Sequence, residues 1–282
     1  MLLKEEKLKL RGFLKDDLFS GDITSSITPE VRAVATIKCN ENCVLAGIEE
    51  ISFLFSSSGL KVKALAGNGS SIGKGKSVMK ISGSNRKILS AERVALNVLG
   101  KMSGVATISR QAAKIAEGKS GKRNKTKIFL TRKTTPGFSI FEKKACIDGG
   151  VSPHRKNLSD GLLLKENHLV FFGSIENAVK AARKKYKGRK IEIEAETEKE
   201  AVEAGEAGAG IILLDNFSFK SAKNAIKKIK KINKRIVVEL SGGIGLKNLK
   251  QHVNLGADRI SMGQLTKEAR IIDFSLDIRK AR

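Results

Sequence analysis

The chain has 282 residues, 40% of them hydrophobic, with 27 glycines, 3 prolines and no tryptophan; it can bury a large core and is neither disordered nor fibrous in composition. Lys+Arg number 54 against 29 Asp+Glu, a net charge of +25, but the lysines are spread out, aromatics are few and no nucleic-acid motif is present. The charge reads as a basic surface that steers small anions, with no specific nucleic acid as partner.

The N-terminal stretch MLLKEEKLKLRGFLKDD is charged throughout and lacks a signal-peptide core, and no run reaches the roughly 18 apolar residues of a membrane span. A cytoplasmic protein without a membrane partner is expected. Behind a helix at this end, VRAVATIKC, NCVLAG, LKVKALAGNGSSI and KSVMKISGS have the β-branched content and Gly/Asn/Ser breaks of an antiparallel meander. Cys39, Cys43 and Cys146 form no even framework, which fits reducing surroundings. CNENC has no His or further Cys at ligand spacing and reads as a turn between strands rather than a zinc site.

Next, Ala91, Val94, Ala95, Val98, Leu99 and Met102 follow the spacing of a long helix, with Gly104 placed to break it in two. From about residue 127 six short apolar runs recur, each ending in a charged or glycine-rich tip: KIFL-TRK, GLLL-KENH, KIEI-EAE, GIILL-DN, RIVVEL-SGGIG and DRIS-MG. Amphipathic helices lie between the later ones. Ser174 caps one that carries Ile175, Ala178, Val179 and Ala182 on one face; Thr197 and Glu200 open a second; Ala222, Ala225, Ile226 and Ile229 stripe a third. Alternating strands and helices predict parallel β/α units. Polar tips at every strand end favour a β/α barrel with its site at that rim, an open doubly wound sheet being the alternative.

In order, the rim holds Arg132 and Lys133, His154 and Arg155 in an intervening loop, Lys165, Glu194, Asp215, Ser241-Gly242-Gly243, and Gly263. Bare glycines let backbone N–H groups approach a phosphate. Glu194 and Asp215 suit Mg²⁺, which takes a couple of carboxylates plus substrate phosphates. The early cations with His154 then suit a second anion rich in carboxylates. Taken singly, Arg132, Lys133 or Lys165 would more often pair with a neighbouring acid than act on a substrate, and SGGIG suits any tight turn; their shared position at successive strand ends favours a site.

With these residues in view, the chain resembles quinolinate phosphoribosyltransferase over nearly its whole length. The likeness is carried by FSGDITSS, AERVALNVLGKMSGVAT, TRKTTPG, LSDGLLLKENH, EIEAET, LLDN, ELSGGIG, ISMGQLT and DFSLDI. The resemblance implies an N-terminal α/β sandwich, residues 1–106 joined by the tail 273–282, and an incomplete parallel β/α barrel of TIM type over 107–272. It implies a homodimer or higher homo-oligomer with a shared active site. The family's reaction moves phosphoribose from phosphoribosyl pyrophosphate to the ring nitrogen of quinolinate, with Mg²⁺, giving nicotinate mononucleotide, pyrophosphate and CO₂. By motif, Thr131, Arg132, Lys133, His154, Arg155 and Lys165 match the positions for quinolinate and phosphates. Glu194 and Asp215 match the acids facing metal and ribose; Lys133, Lys165, Glu194 and Asp215 are the catalytic set. Ser241, Gly242, Gly243 and Gly263 match the 5′-phosphate cradle, and Arg93 matches an arginine that reaches the neighbouring subunit's site.

Four positions depart from the family pattern: Val151 replaces a glycine, Pro153 stiffens the same loop, Glu166 stands for an aspartate, and Gln264 replaces a small residue. None removes a charged ligand. Rival readings keep the fold with nicotinate as acceptor or with the molybdenum-transport-associated relatives' chemistry, or make the chain a nucleic-acid binder. Five basic groups around one acceptor suit a dicarboxylate better than a monocarboxylate.

Overall fold

The structure, a computed structural model, describes residues 2–118 and 126–281. It divides into two compact units: Met1–Arg110 with Thr134–Gly150 and Glu268–Arg282, and Gln111–Lys133 with Val151–Lys267. The segment after the first barrel strand, 134–150, thus belongs with the N-terminal residues.

In the first unit, helices α1 (Lys4–Leu18), α2 (Ile23–Ile27) and α3 (Ile48–Ser57) accompany strands β1 (Arg32–Cys39), β2 (Cys43–Val44), β3 (Lys61–Ala64), β4 (Ser71–Ile72) and β5 (Ser77–Ser84). Then come the long helix α4 (Asn85–Glu117) and α5 (Ser139–Asp148). Alternation makes β1 one-sided: Ala33, Ala35, Ile37 and Cys39 are buried while the intervening residues face outward. The sheet is antiparallel in the order β13-β1-β5-β3, its edge strand β13 (Phe274–Lys280) coming from the C-terminal tail. CNENC is a turn: Cys39 ends β1, Cys43 begins β2, and both thiols are free.

Gly104 does not break its helix; α4 runs unbroken for 33 residues. The glycine is there for contact. A Cβ at Gly104 would lie 1.8 Å from the Arg270 carbonyl oxygen and one at Gly100 2.6 Å from that of Ile272. Ile272 N–H donates to the Gly100 carbonyl at 3.1 Å. Two bare helix positions one turn apart let the tail leading into β13 lie directly on the helix backbone.

The second unit holds β6 (Lys127–Leu130), β7 (Ser152–Pro153), β8 (Leu162–Leu164), β9 (Ile191–Ala195), β10 (Ile211–Asp215), β11 (Val237–Ser241) and β12 (Arg259–Met262). Its helices are α6 (Glu166–Leu169), α7 (Ile175–Lys185), α8 (Glu198–Glu206), α9 (Phe219–Ile232), α10 (Leu246–Val253) and α11 (Gln264–Lys267). The strands form one parallel sheet of seven in the order β7-β6-β12-β11-β10-β9-β8. The sequence runs mark six of them; β7 is two residues long and carries no pattern of its own. Since β7 and β8 are not paired, the barrel is incomplete, as expected. Its helices bury the stripes read from the sequence: Ile175, Ala178, Val179 and Ala182 on α7, and Ala222, Ala225, Ile226 and Ile229 on α9. Ser174 and Thr197 accept from the Asn177 and Glu200 N–H groups as N-caps. Parallel connections of this kind put every strand's C-terminal end on one rim. No described helix is long and apolar enough to cross a membrane.

Candidate active site

A cavity of about 310 Å³ opens at the rim, lined by Thr131, Arg132, Lys133, His154, Arg155, Lys165, Glu194, Asp215 and Ser241 among the expected residues. Glu239, Ser261, Leu163 and Leu213 complete it. The strand ends follow sheet order: cations lie at β7 and β6, the glycine turns at β12 and β11, the acids at β10 and β9, and Lys165 follows β8. Gly242, Gly243 and Gly263 adjoin lining residues in sequence or contact but are not themselves among the lining residues. Arg93 is exposed on α4 in the first unit and is not among the lining residues.

Each group is set by its strand end. Thr131 Oγ1 accepts from the Lys133 N–H at 3.2 Å and Thr266 Oγ1 donates to the Lys133 carbonyl at 2.6 Å, fixing the turn that displays Lys133. Gly263 lies against that turn: a Cβ there would come 3.3 Å from Lys133 Cδ. After β7, His154 N–H continues the pairing by donating to the Leu130 carbonyl. Arg155 Nη1 donates to the Gly161 carbonyl at 3.2 Å. Burial and then the charge of Arg132 hold Arg155 below its ordinary pKa. Two cations are thus crowded together where an anion relieves the repulsion.

On the other flank Lys165 Nζ donates to Glu194 Oε2. Burial pushes Glu194 up to about 7; Glu166 and the charge of Asp215 add to this, against the pull of Lys165. Asp215 accepts from Asn216 Nδ2 at 2.7 Å. These oxygen donors on adjacent strands already repel one another, and a bound hard cation removes that repulsion. Gly242 and Gly243 both have positive φ, +90° and +59°, and the close approach at Gly242 is to Asn216, whose N–H donates to the Ser241 carbonyl.

Sequence reasoning missed Glu239 and Ser261, which line the cavity, and Glu192, buried below it. A signal existed: each acid interrupts an apolar strand, in IEIEA and VVELS. His154 Nε2 contacts Glu192 Oε1 at 3.1 Å and Glu239 Oε1 at 3.3 Å. Burial disfavours the imidazolium, but the two carboxylates outweigh it and raise His154 to about 10. Among the described residues this trio is the only cluster of its kind close enough to hold a metal ion.

The departures have local explanations. Val151 is a core residue, 3% exposed, and Pro153 pairs with Leu130 in β7. Gln264 Oε1 accepts from the Leu246 N–H, capping α10. Glu166 opens α6 beside Glu194. His168 lies in α6 and its Nδ1 accepts from the Lys165 N–H.

The model described as quinolinate phosphoribosyl transferase, C-terminal domain, matches residues 105–277, and that for the N-terminal domain matches 22–103. A probable nicotinate-nucleotide pyrophosphorylase [carboxylating] of Methanocaldococcus jannaschii is 38% identical over 285 residues, covering 98% of this chain and 99% of that protein. The nicotinate-nucleotide pyrophosphorylase [carboxylating] of Homo sapiens is 38% identical over 236 residues, 83% of this chain and 78% of its own. The structure of the nicotinate-nucleotide pyrophosphorylase from Francisella tularensis superposes with a TM-score of 0.91 at 29% identity, covering 99% of this chain and 98% of that one.

Proposed function

The chain belongs to the quinolinate phosphoribosyl transferase family, and from that premise we propose how its rim pocket makes nicotinate mononucleotide from quinolinate and phosphoribosyl pyrophosphate, releasing pyrophosphate and CO₂. One observation carries the reading. A single cavity has five basic side chains, Arg132, Lys133, His154, Arg155 and Lys165, facing two rim acids, Glu194 and Asp215. That division matches a reaction between two anions in which one ring becomes transiently positive.

Arg132, His154 and Arg155 grip the quinolinate carboxylates and point its ring nitrogen toward the ribose. Ser241, Gly242, Gly243 and Gly263 receive the 5′-phosphate on backbone N–H groups, with Thr131 shaping the adjoining turn. Pyrophosphate leaves C1 of the ribose through an oxocarbenium-like state, so no protein nucleophile is needed. Lys133 and Lys165 neutralise the leaving group, while Glu194 and Asp215 face the developing positive charge. Glu194 and Asp215 would hold a Mg²⁺, which would supply further charge neutralisation for the pyrophosphate. Once ribosylated, the pyridinium nitrogen is the electron sink for loss of the adjacent carboxylate.

We also propose a homodimer, able to assemble further, in which Arg93 reaches the partner's pocket. Leu8, Phe19, Ile23 and Ile27 are each more than two-thirds exposed in the α1–α2 region, a surface that a second copy would cover. Cys39, Cys43 and Cys146 are in no disulfide, which suits the reducing cytoplasm.

The test is incubation with carboxyl-labelled quinolinate, phosphoribosyl pyrophosphate and Mg²⁺. Labelled CO₂ appears only with all three; turnover of nicotinate in place of quinolinate overturns the assignment.

A further inference from the structure

Two buried acids in the barrel have no place in the reaction as set out. Glu192 and Glu239 are 5% and 0% exposed. They lie on β9 and β11, two strands separated by β10, yet both send Oε1 to the same atom, His154 Nε2. Glu239 is held in turn by Ser261 Oγ, which donates to its Oε1 at 2.5 Å, and by Arg259 Nη1, 3.8 Å from its Oε2. Phe129 packs against the imidazole at a right-angled tilt, ring centroids 6.2 Å apart. The ring is therefore gripped from β6, β9 and β11.

Two buried carboxylates converging on one nitrogen are tolerable only if that nitrogen belongs to a cation. A neutral ring carries one N–H; spent on the acids at Nε2, it leaves a bare lone pair at Nδ1, which repels an anion. The charged ring carries two. Nε2–H is then shared by Glu192 and Glu239, and Nδ1–H is left over; no described residue accepts it. His154 lines the acceptor cavity.

We propose that Glu192 and Glu239 are positioning residues for acceptor recognition: they hold His154 by Nε2 as an imidazolium and so offer Nδ1–H, with its charge, to one carboxylate of the dicarboxylate acceptor. The raised affinity of His154 for its proton, to about 10, agrees with this. The arrangement explains why acids lie beneath a pocket for an anion: they are masked by the ring and act through it. This inference rests on quinolinate being the acceptor. A divalent cation on the same three side chains is the competing use, since their ligand atoms lie within 4.8 Å of one another; ligation requires Nε2 without its proton.

The experiment compares wild type with Glu192→Gln, Glu239→Gln, His154→Gln and the His154→Gln/Glu239→Gln double variant. It reads quinolinate KM and Kd, phosphoribosyl pyrophosphate KM, kcat, and the ¹⁵N resonances of the His154 ring. Weakening a charge-assisted hydrogen bond raises quinolinate KM and Kd at least about 10-fold in each single Glu variant. The other substrate's KM and kcat stay within about threefold, a split that general loss of structure does not produce. Because Glu239 acts through His154, the double variant is no worse than His154→Gln alone. In wild type at pH 7.5 both ring nitrogens carry protons. Unchanged quinolinate affinity in Glu239→Gln, losses that simply add in the double variant, a single protonated ring nitrogen, or a stoichiometric divalent metal bound by wild type and lost from Glu239→Gln would each overturn the proposal. If wild type turns over nicotinate and not quinolinate, the functional assignment fails separately, and the ring resonances still decide whether the acids hold an imidazolium.

Discussion

Gly242 and Gly243 form the turn after β11, both at positive φ, yet a methyl group meets different surroundings at each. At Gly242 it would fall 2.2 Å from Asn216 Oδ1 and 2.5 Å from Asn216 N. That nitrogen donates to the Ser241 carbonyl at 3.0 Å and cannot retreat without parting the ends of β10 and β11. At Gly243 nothing lies within 4 Å; the methyl enters open space, where the phosphate is proposed to bind. Left-handed backbone strain costs either alanine about 1–2 kcal/mol, and overpacking adds about 1–3 kcal/mol for Gly242→Ala. At about 2–4 °C per kcal/mol for a chain of this size, Gly242→Ala lowers the melting midpoint by roughly 5–15 °C, and Gly243→Ala by only a few degrees. Binding inverts that order. Gly243→Ala blocks a charge-assisted hydrogen bond worth about 1.5–3 kcal/mol, so KM for phosphoribosyl pyrophosphate rises roughly 10- to 100-fold while quinolinate binding alone is unchanged. Thermal unfolding and steady-state kinetics on the pair decide it. A folded Gly243→Ala enzyme with unchanged KM refutes the cradle, and a Gly242→Ala protein as stable as wild type refutes the clash.

Asp148 in α5 tests the energetics of the first unit. Burial, then the charges of Glu50 and Glu49, raise it to about 6 against the opposing pull of Lys144, and its Oδ2 has no partner. A carboxyl with a raised folded-state pKa favours folding at low pH, fully so below its unfolded value near 4, and that contribution is lost as pH rises through about 6. Asp148→Asn is therefore more stable than wild type at pH 7.5 by about 1–2 kcal/mol, after allowance for partial exposure. In urea unfolding the difference shrinks as pH falls to 5; a gap independent of pH removes the carboxyl as its cause. If the pocket is shared between subunits as proposed, Arg93→Ala and Arg132→Ala are each inactive, and mixing them where subunits exchange restores part of the activity. No recovery, with exchange shown by size-tagged subunits, argues for self-contained sites.

Much of this site was legible because its residues sit at repeated local signals. A polar tip after an apolar run marks a strand's C-terminal end, and the stripe Ala222, Ala225, Ile226, Ile229 is a helix face whatever it packs on. Features that depend on a distant partner were not legible. Gly104 looks like a helix breaker because propensity is local; only the Arg270 carbonyl shows that it is a contact point. The strand β7 exists because Phe129 and Leu130 offer it an edge. Glu192 alternates with Glu194 on one face of β9, so its inward direction was readable, but that it meets Glu239 across an intervening strand was not.

Chain order conceals one further property, which follows from sheet order. Along the sequence the cations come first, then the acids, then the glycine turns. In the sheet, β6 pairs with β12, so the first barrel strand lies beside the last. The glycine turns after β11 and β12 therefore fall between the cations of β6 and β7 and the acids of β9 and β10. Gly263 marks that junction: a Cβ added there would lie 3.3 Å from Lys133 Cδ. In the proposed reaction an anion seated on the turns lies between a flank that attracts the carboxylate-bearing acceptor and a flank that carries the acids. Lys165 pairs with Glu194 on the acid flank, whereas Arg132 and Lys133 lie across the glycine turns from Glu194 and Asp215, so that their flank presents its positive charge to a ligand. That separation comes from strand pairing rather than from any motif, which is why the motifs alone named the residues but did not give their arrangement.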